Sequence, residues 1–119
     1  MNKGRKNSGG KYSKNRKKKL HEAKGQKRII KVGKEKRKLK KKRGGKIKTI
    51  LLSAKFVNVK KDNKNIKTEI KNVLETPSNR FLARQNILTK GTIVETNLGK
   101  VKITNRPNQE CNINGILIE

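Results

Sequence analysis

The side chains of this sequence that are best placed to do chemistry are cations, which bind and neutralise polyanions. Lysine and arginine number 35 against eight acids, and the formal net charge is +27. Residues 1–46 hold 22 of these cations and two of the acids, a net charge of +20. A compact free protein with so much charge repels itself, so the excess implies a polyanionic partner. Nucleic acid is the first candidate, an anionic membrane the second and a sulfated polysaccharide the third.

Within this basic segment the cations form two dense runs, at residues 16–19 and 36–43. Lysine outnumbers arginine there, which favours point-charge neutralisation of phosphates over bidentate reading of bases. Two glycine doublets, at residues 9–10 and 44–45, are each followed by a lysine. They fit either a flexible linker or a backbone that approaches a sugar-phosphate strand closely.

The sequence contains few residues that could take part in catalysis or bind a metal. Cys111 and His21 are the single cysteine and the single histidine, so an intramolecular disulfide and a multi-cysteine zinc site are excluded. The acids form no pair with a recognisable spacing, and we expect no enzyme activity, no cofactor and no metal. The longest apolar run is three residues and the N-terminus is charged, so we expect neither a membrane span nor a signal peptide.

The segment that carries most of the cations has little capacity to fold alone. Eight apolar residues precede Ile47, and they do not recur at helical or strand spacing. Such a segment cannot bury enough surface to offset its chain entropy, so we expect it to be disordered until a partner neutralises it. We expect Phe56 and Phe81 in the core of the remaining chain, which leaves Tyr12 free to stack on a base.

Beyond residue 45 the pattern changes to short β-strands, because β-branched residues partly alternate with polar ones. The strands are predicted at residues 46–59, 66–75, 92–96, 100–104 and 113–119. Several short strands with turns between them indicate a small sandwich or barrel. A closed barrel is favoured because closure removes exposed strand edges, which a small core tolerates badly.

The predicted turns depend on residues with special backbone preferences. A turn is expected at residues 62–65, and the pattern breaks at residues 77–79. Gly99 ends a three-residue hairpin loop and should adopt a positive φ. Asn108 fits the left-handed position of a turn that begins at Arg106, and Gly115 is a possible bulge in the last strand.

Together these features predict a mostly β protein in two parts. Residues 1–45 are predicted to form a long basic N-terminal extension that is irregular and becomes ordered on RNA. Residues 46–119 are predicted to form a small closed or partly closed β-barrel.

Residues 86–109 and 116–119 resemble a known family, the small-subunit ribosomal protein numbered eight in archaea and eukaryotes. The motifs that carry the resemblance are Thr-Lys-Gly at 89–91, Ile-Val-Glu-Thr at 93–96, Gly-Lys at 99–100, Arg-Pro at 106–107 and the glycine pairs at 9–10 and 44–45. The short length resembles the archaeal form, since eukaryotic members carry a large insertion.

The resemblance implies a structural, ribosome-bound cytoplasmic protein that binds small-subunit ribosomal RNA beside neighbouring ribosomal proteins. No membrane and no small-molecule substrate are implied. The cations expected to contact RNA are Arg5, Lys6, Lys11, Arg16, Lys17, Lys18, Lys19, Arg43, Lys46, Arg84 and Arg106. The glycines expected to allow close approach are Gly9, Gly10, Gly44 and Gly45. An architectural DNA-binding protein and a secreted membrane-active protein are the rival classes. The sequence offers neither a groove-reading helix nor an amphipathic basic helix for them.

Overall fold

The structure is a computed structural model that describes residues 4–13, 15–25, 28–61 and 64–118. Its strands are β1 (Lys31–Val32), β2 (Lys36–Lys41), β3 (Ile47–Ala54), β4 (Phe56–Lys61), β5 (Lys64–Glu75), β6 (Ile93–Thr96), β7 (Gly99–Ile103) and β8 (Asn114–Ile118). Its helices are α1 (Arg80–Arg84) and α2 (Pro107–Glu110), and single 3-10 turns span Leu20–Glu22 and Arg43–Gly45.

A closed five-stranded barrel forms the body of the protein, in the order β4-β5-β6-β7-β8. Its strands alternate as half-buried strands should: in β4, Val57 and Val59 are fully buried while the residues between and beyond them are exposed. Val94 of β6 and Val101 of β7 fill the same interior. Parallel pairing of β8 with β4 closes the barrel. The predicted small closed barrel is therefore confirmed.

A second sheet, of three strands in the order β1-β3-β2, packs against the barrel. Its central strand β3 pairs in parallel with β1 and antiparallel with β2. Leu51 and Ala54 of β3 and Ile30, just before β1, are buried together with the barrel valines. The two sheets thus share one hydrophobic core.

Two strands lie inside the extension that the sequence predicts to be irregular. Strand β2 pairs along its whole length with β3 through backbone hydrogen bonds, which need no apolar side chain. Ile30 is only 1% exposed, so at least one of the sparse apolar residues before residue 46 is a core residue. The predicted boundary at residues 45 and 46 falls in the loop between β2 and β3. The order of residues 1–45 in the absence of RNA stays a prediction.

Both phenylalanines lie elsewhere than predicted. Phe56 is 39% exposed and Phe81 is 67% exposed, so neither is a core residue. Lys55 divides the long strand predicted at 46–59 into β3 and β4, and Phe56 then faces outward because Val57 faces inward. Phe81 lies in α1, whose first turn is capped by the Asn79 side chain, which accepts a hydrogen bond from the Phe81 N–H at 3.0 Å.

The positive φ predicted for Gly99 is confirmed, at 121°. The predicted three-residue loop is wrong: Thr96 pairs directly with Gly99, so the β6–β7 loop has two residues. The positive φ predicted for Asn108 is wrong: Pro107 begins α2, and Cys111 takes the left-handed position at its end. Gly115 is no bulge, since it pairs in register with both neighbouring strands. The turn at 62–65 and the strand end at 119 lie partly outside the described residues.

Candidate nucleic-acid interface

The first group of predicted contact residues lies in a tight hairpin near the N-terminus. Arg5 and Lys11 face each other in a β-bridge. The Lys6 N–H donates to the Gly10 carbonyl at 2.8 Å, and the Gly9 N–H donates to the Lys6 carbonyl at 2.9 Å. Gly9 has a φ of 82°, as the last position of a three-residue hairpin loop requires. The glycine doublet is therefore a built turn, and it brings the three cations together.

Tyr12 follows this hairpin and is 62% exposed. The Lys6 ammonium lies 5.8 Å from the centre of its ring, within range of a cation–π contact. An aromatic ring beside several cations can stack on an unpaired base while its neighbours bind phosphate. Tyr12 is thus exposed as expected.

The second group surrounds the 3-10 turn at Leu20–Glu22. Arg16 donates to both Glu22 carboxylate oxygens, at 2.7 and 2.8 Å, and the Lys19 N–H donates to Glu22 at 3.2 Å. The Arg16 guanidinium, and to a smaller extent this N–H, lowers the pKa of the Glu22 carboxyl, and the carboxylate raises the pKa of Arg16. The neighbouring Lys17 and Lys18 are exposed.

The third group occupies the tip of the β2–β3 hairpin. Arg43, Gly44 and Gly45 form a 3-10 turn, and the Lys42 N–H donates to the Lys46 carbonyl at 2.7 Å. Gly44 and Gly45 have φ values of 79° and 74°, a conformation that side-chain-bearing residues rarely adopt. The tip therefore exposes its backbone between Arg43 and Lys46.

The sequence reading missed a fourth feature, the edge strand β2 itself. Five of its six residues are cations, and all six are exposed. Lysines on an edge strand oppose pairing with another sheet and leave a row of positive charge beside open backbone groups. Arg37 donates to Glu35 at 2.6 Å. The sequence shows the lysine run, but nothing in it alternates, so the pattern predicts no strand there.

Arg84 and Arg106 lie apart from these groups. Arg84 is the last residue of α1, with its guanidinium 6.0 Å from the centre of the Phe81 ring. Arg106 precedes α2, and its N–H donates to the Glu110 carboxylate at 3.4 Å. Both residues are exposed; α1 packs against β5 of the barrel, whereas α2 packs against β3 of the second sheet.

The residues weighed for other chemistry occupy ordinary positions. His21 is exposed, and Cys111 is 8% exposed with its Sγ donating to the Thr49 carbonyl at 2.7 Å. Within the four described ranges, no three His, Cys, Asp or Glu side chains lie together as a metal site requires. In that same part of the chain, no helix is both long and apolar enough to cross a lipid bilayer.

Fold and charge together define a small β-barrel protein that presents exposed cations on hairpin loops and on an edge strand. The sequence matches the family model described as "Ribosomal protein S8e" over residues 1–118. It is 48% identical to the small ribosomal subunit protein eS8 of Staphylothermus marinus, over 97% of this chain and 92% of that protein. It is 47% identical to the protein of the same name from Nanoarchaeum equitans, over 87% of this chain and 84% of that one.

The chain therefore belongs to the ribosomal protein S8e family. The resemblance carried by the Thr-Lys-Gly and Arg-Pro motifs is confirmed, including the likeness to archaeal members. A ribosomal protein family is not an enzyme family, so the expectation of no enzyme activity is confirmed as well.

Proposed function

We propose that this protein is a structural component of the small ribosomal subunit and binds small-subunit ribosomal RNA through its basic extension. There its cations would neutralise phosphates that otherwise repel one another, and so stabilise the folded RNA during assembly. The barrel would dock beside neighbouring ribosomal proteins, by shape and by phosphate contacts. The protein would then reside on ribosomes in the cytoplasm.

The observation that carries this proposal is the exposure of cations on segments that contain little negative charge. Every described residue in 4–25 and in 34–46 is exposed. The two acids in these segments, Glu22 and Glu35, are each held by an arginine of the same segment. The other cations that the structure describes in these two segments therefore face solvent without a protein carboxylate, as residues that bind phosphate should. Relatives named as small ribosomal subunit proteins support the same role.

The number of cations sets the expected strength of binding and its dependence on salt. A protein that makes about six to ten phosphate contacts loses about 10³–10⁵ in affinity between about 50 and 200 mM salt. The first 46 residues carry 22 cations, so the extension can supply that many contacts with only part of its charge. RNA affinity should accordingly fall steeply as salt is added.

Two charge variants of the full chain test the role of the extension. Lys17→Gln with Lys18→Gln removes two exposed cations next to the Leu20–Glu22 turn. Lys71→Gln with Lys90→Gln removes the same charge from exposed positions on the barrel. Affinity for a small-subunit ribosomal RNA fragment, measured across a salt series, should show a slope reduced by about one to two in the first variant. The slope should fall by a smaller amount in the control, because the extension carries most of the phosphate contacts.

Sedimentation of cell extracts supplies the biological readout. The protein should travel with small subunits in low salt, and duplex DNA at equal nucleotide concentration should displace it from the RNA fragment poorly. Equal slopes for both charge variants would contradict binding through the extension. A pool of protein entirely free of small subunits would contradict the ribosomal role.

A further inference from the structure

One outer wall of the barrel carries a patch of amides and lysines that the basic extension does not include. Strands β5, β4 and β8 lie side by side there, and Asn58 of β4 pairs with Lys67 of β5 and Asn114 of β8. In the next row, Lys60 pairs with Asn65 and Ile116. The residues of this patch, called here the amide face, are Asn58, Lys60, Asn65, Lys67, Asn114 and Ile116. All six are exposed.

The amide face forms one side of an open cleft. The cleft has a volume of about 540 Å³. Five residues of the amide face line it together with Thr104 and Gly115, and those five are Asn58, Lys60, Asn65, Asn114 and Ile116. Its size falls within the range of about 300–1,000 Å³ for pockets that hold small ligands. No carboxylate lines it, Lys60 does, and Lys67 is the strand partner of the lining residue Asn58. The cleft therefore suits a ligand with negative charge and hydrogen-bonding edges.

A second, smaller cleft of about 180 Å³ continues from Asn58 towards the basic extension. Phe56, Lys67 and Arg37 line it, and Arg37 belongs to the cationic edge strand β2. Glu35 also lines it, but Arg37 donates to that carboxylate at 2.6 Å. Arg37 of β2 and Lys67 of the amide face therefore line the same cleft.

The two central asparagines leave hydrogen-bonding groups directed at solvent. The Asn58 Nδ2 donates to the Asn114 Oδ1 at 3.2 Å. Within the described residues, the Asn58 Oδ1 and the Asn114 Nδ2 have no protein partner, so the pair offers one acceptor and one donor. Nucleobase edges present the matching groups. In an RNA duplex the Watson–Crick edges are paired and the major-groove edges lie in a deep, narrow groove, so only the minor-groove edges stay accessible; unpaired RNA offers all of them, which suits the pair better.

An aromatic ring and a cation stand one step along the same strand. Phe56 lies two residues before Asn58, on the same side of β4, and is 39% exposed. The Lys67 ammonium is 4.6 Å from the centre of its ring. Proteins that bind single strands combine cations that bind the backbone with exposed aromatic rings on which bases stack.

We propose that the amide face binds an unpaired segment of RNA, with bases against Asn58, Asn114 and Phe56 and phosphates against Lys60 and Lys67. This inference rests on the proposed RNA-binding function and adds a second contact surface outside the extension. The extension binds phosphates with little regard to RNA structure, whereas the amide face distinguishes unpaired from paired RNA.

Uncharged substitutions separate the two surfaces, because they leave the electrostatic attraction intact. In the full chain, Asn58→Ala with Asn114→Ala removes both amides of the pair. Gln85→Ala with Asn97→Ala removes two exposed amides elsewhere and leaves the net charge the same. The probes are a short unstructured RNA of alternating adenosine and cytidine and a fully paired RNA duplex, with binding followed by fluorescence anisotropy at two salt concentrations.

The first variant should bind the unstructured RNA roughly tenfold more weakly than the wild type, with an unchanged salt slope and unchanged affinity for the duplex. The control variant should match the wild type with both probes. Equal affinities for all three proteins would overturn the proposal while leaving binding through the extension intact. A parallel loss with the duplex would overturn the preference for unpaired RNA.

Two further outcomes identify which of the two proposals fails. If the wild type binds neither probe at any salt concentration, the proposed function fails and the amide face fails with it. If the Asn58 and Asn114 variant binds both RNAs normally but no longer sediments with small subunits, the face contacts protein and the RNA assignment is wrong.

Discussion

Gly115 provides the sharpest test of the barrel, because strand β8 closes the sheet at this residue. It pairs with Val59 of β4 on one side and with Ile103 of β7 on the other. A Cβ built at Gly115 would collide with the Val101 side chain and would stand 2.9 Å from the Lys102 carbonyl oxygen. The φ of Gly115 is not in the left-handed region, so Gly115→Ala isolates the effect of close packing.

The expected cost follows from these contacts. Without a clash, replacing glycine by alanine at a compatible position stabilises a protein by about 0.4–1 kcal/mol, so the sign of the effect is itself diagnostic. Forcing an extra methyl group into a packed core costs about 1–3 kcal/mol. The Lys102 carbonyl belongs to the β7–β8 ladder and cannot retreat without weakening it. We therefore expect Gly115→Ala to lower the free energy of unfolding by about 2–3 kcal/mol.

Urea unfolding followed by far-ultraviolet circular dichroism measures this change. The slope of the unfolding free energy against urea concentration should be the same in the variant and the wild type. Gly10→Ala is the matched control, because the nearest heavy atom to its added Cβ is the Ser8 Oγ at 3.9 Å. It should change stability by less than about 0.5 kcal/mol. In combination with Val101→Ala, the cost of Gly115→Ala should fall by about 1 kcal/mol, because one of the two clashes is removed. A Gly115→Ala protein as stable as the wild type, or strictly additive effects, would refute the reasoning.

Four other expectations concern a helix cap, an ion pair, a buried thiol and the backbone amides of β2. Asn79→Ala should destabilise α1 by about 1 kcal/mol through loss of its N-terminal cap, seen as faster amide exchange in that helix while the barrel strands stay protected. The Arg16–Glu22 contact should persist above the ordinary pKa of glutamate and be lost as pH falls through the lowered pKa of Glu22; a carboxyl titration midpoint unchanged by Arg16→Gln would contradict this. Cys111 should react slowly with a thiol reagent in the folded protein and rapidly in denaturant, because it is buried, and fast labelling of the native state would show otherwise. In the free protein, backbone amides of residues 4–25 should exchange rapidly and those of β2 that bond to β3 more slowly; equal rates would place β2 outside the folded unit.

Much of the barrel could be predicted because its signals are local. The β6–β7 hairpin follows from alternating residues on either side of Gly99, whose positive φ the turn requires. The returning strand β5 likewise coincides with the alternating segment at 66–75. In such segments the side-chain period and the turn residue lie within a few positions of each other, so neighbouring residues contain the information.

The errors arose where a distant partner decides the structure. Strand β2 has no apolar period and exists because β3 offers it a hydrogen-bonding edge. Phe56 is large and apolar, which predicts a core position, yet the inward positions of β4 belong to Val57 and Val59. Helix α1 is five residues long, too short for periodicity to reveal, and depends on the cap at Asn79.

The candidate interface divides in the same way. The cations and glycine doublets of the extension were identified from the sequence, and the structure gives the doublets definite turns at Gly9, Gly44 and Gly45. The amide face could not be identified, because Asn58 and Asn114 are separated by 56 positions and meet only when β8 closes the barrel.

By itself, the sequence determined the sign and the distribution of charge, because charge is a sum over residues and needs no fold. It also determined which segments favour strands, because that preference depends on near neighbours. Only the tertiary structure decided how β4 meets β8, which side of β4 faces solvent, and that β2 joins β3. Those outcomes depend on pairing between distant segments, whose free energy comes from burying a shared core and satisfying strand edges.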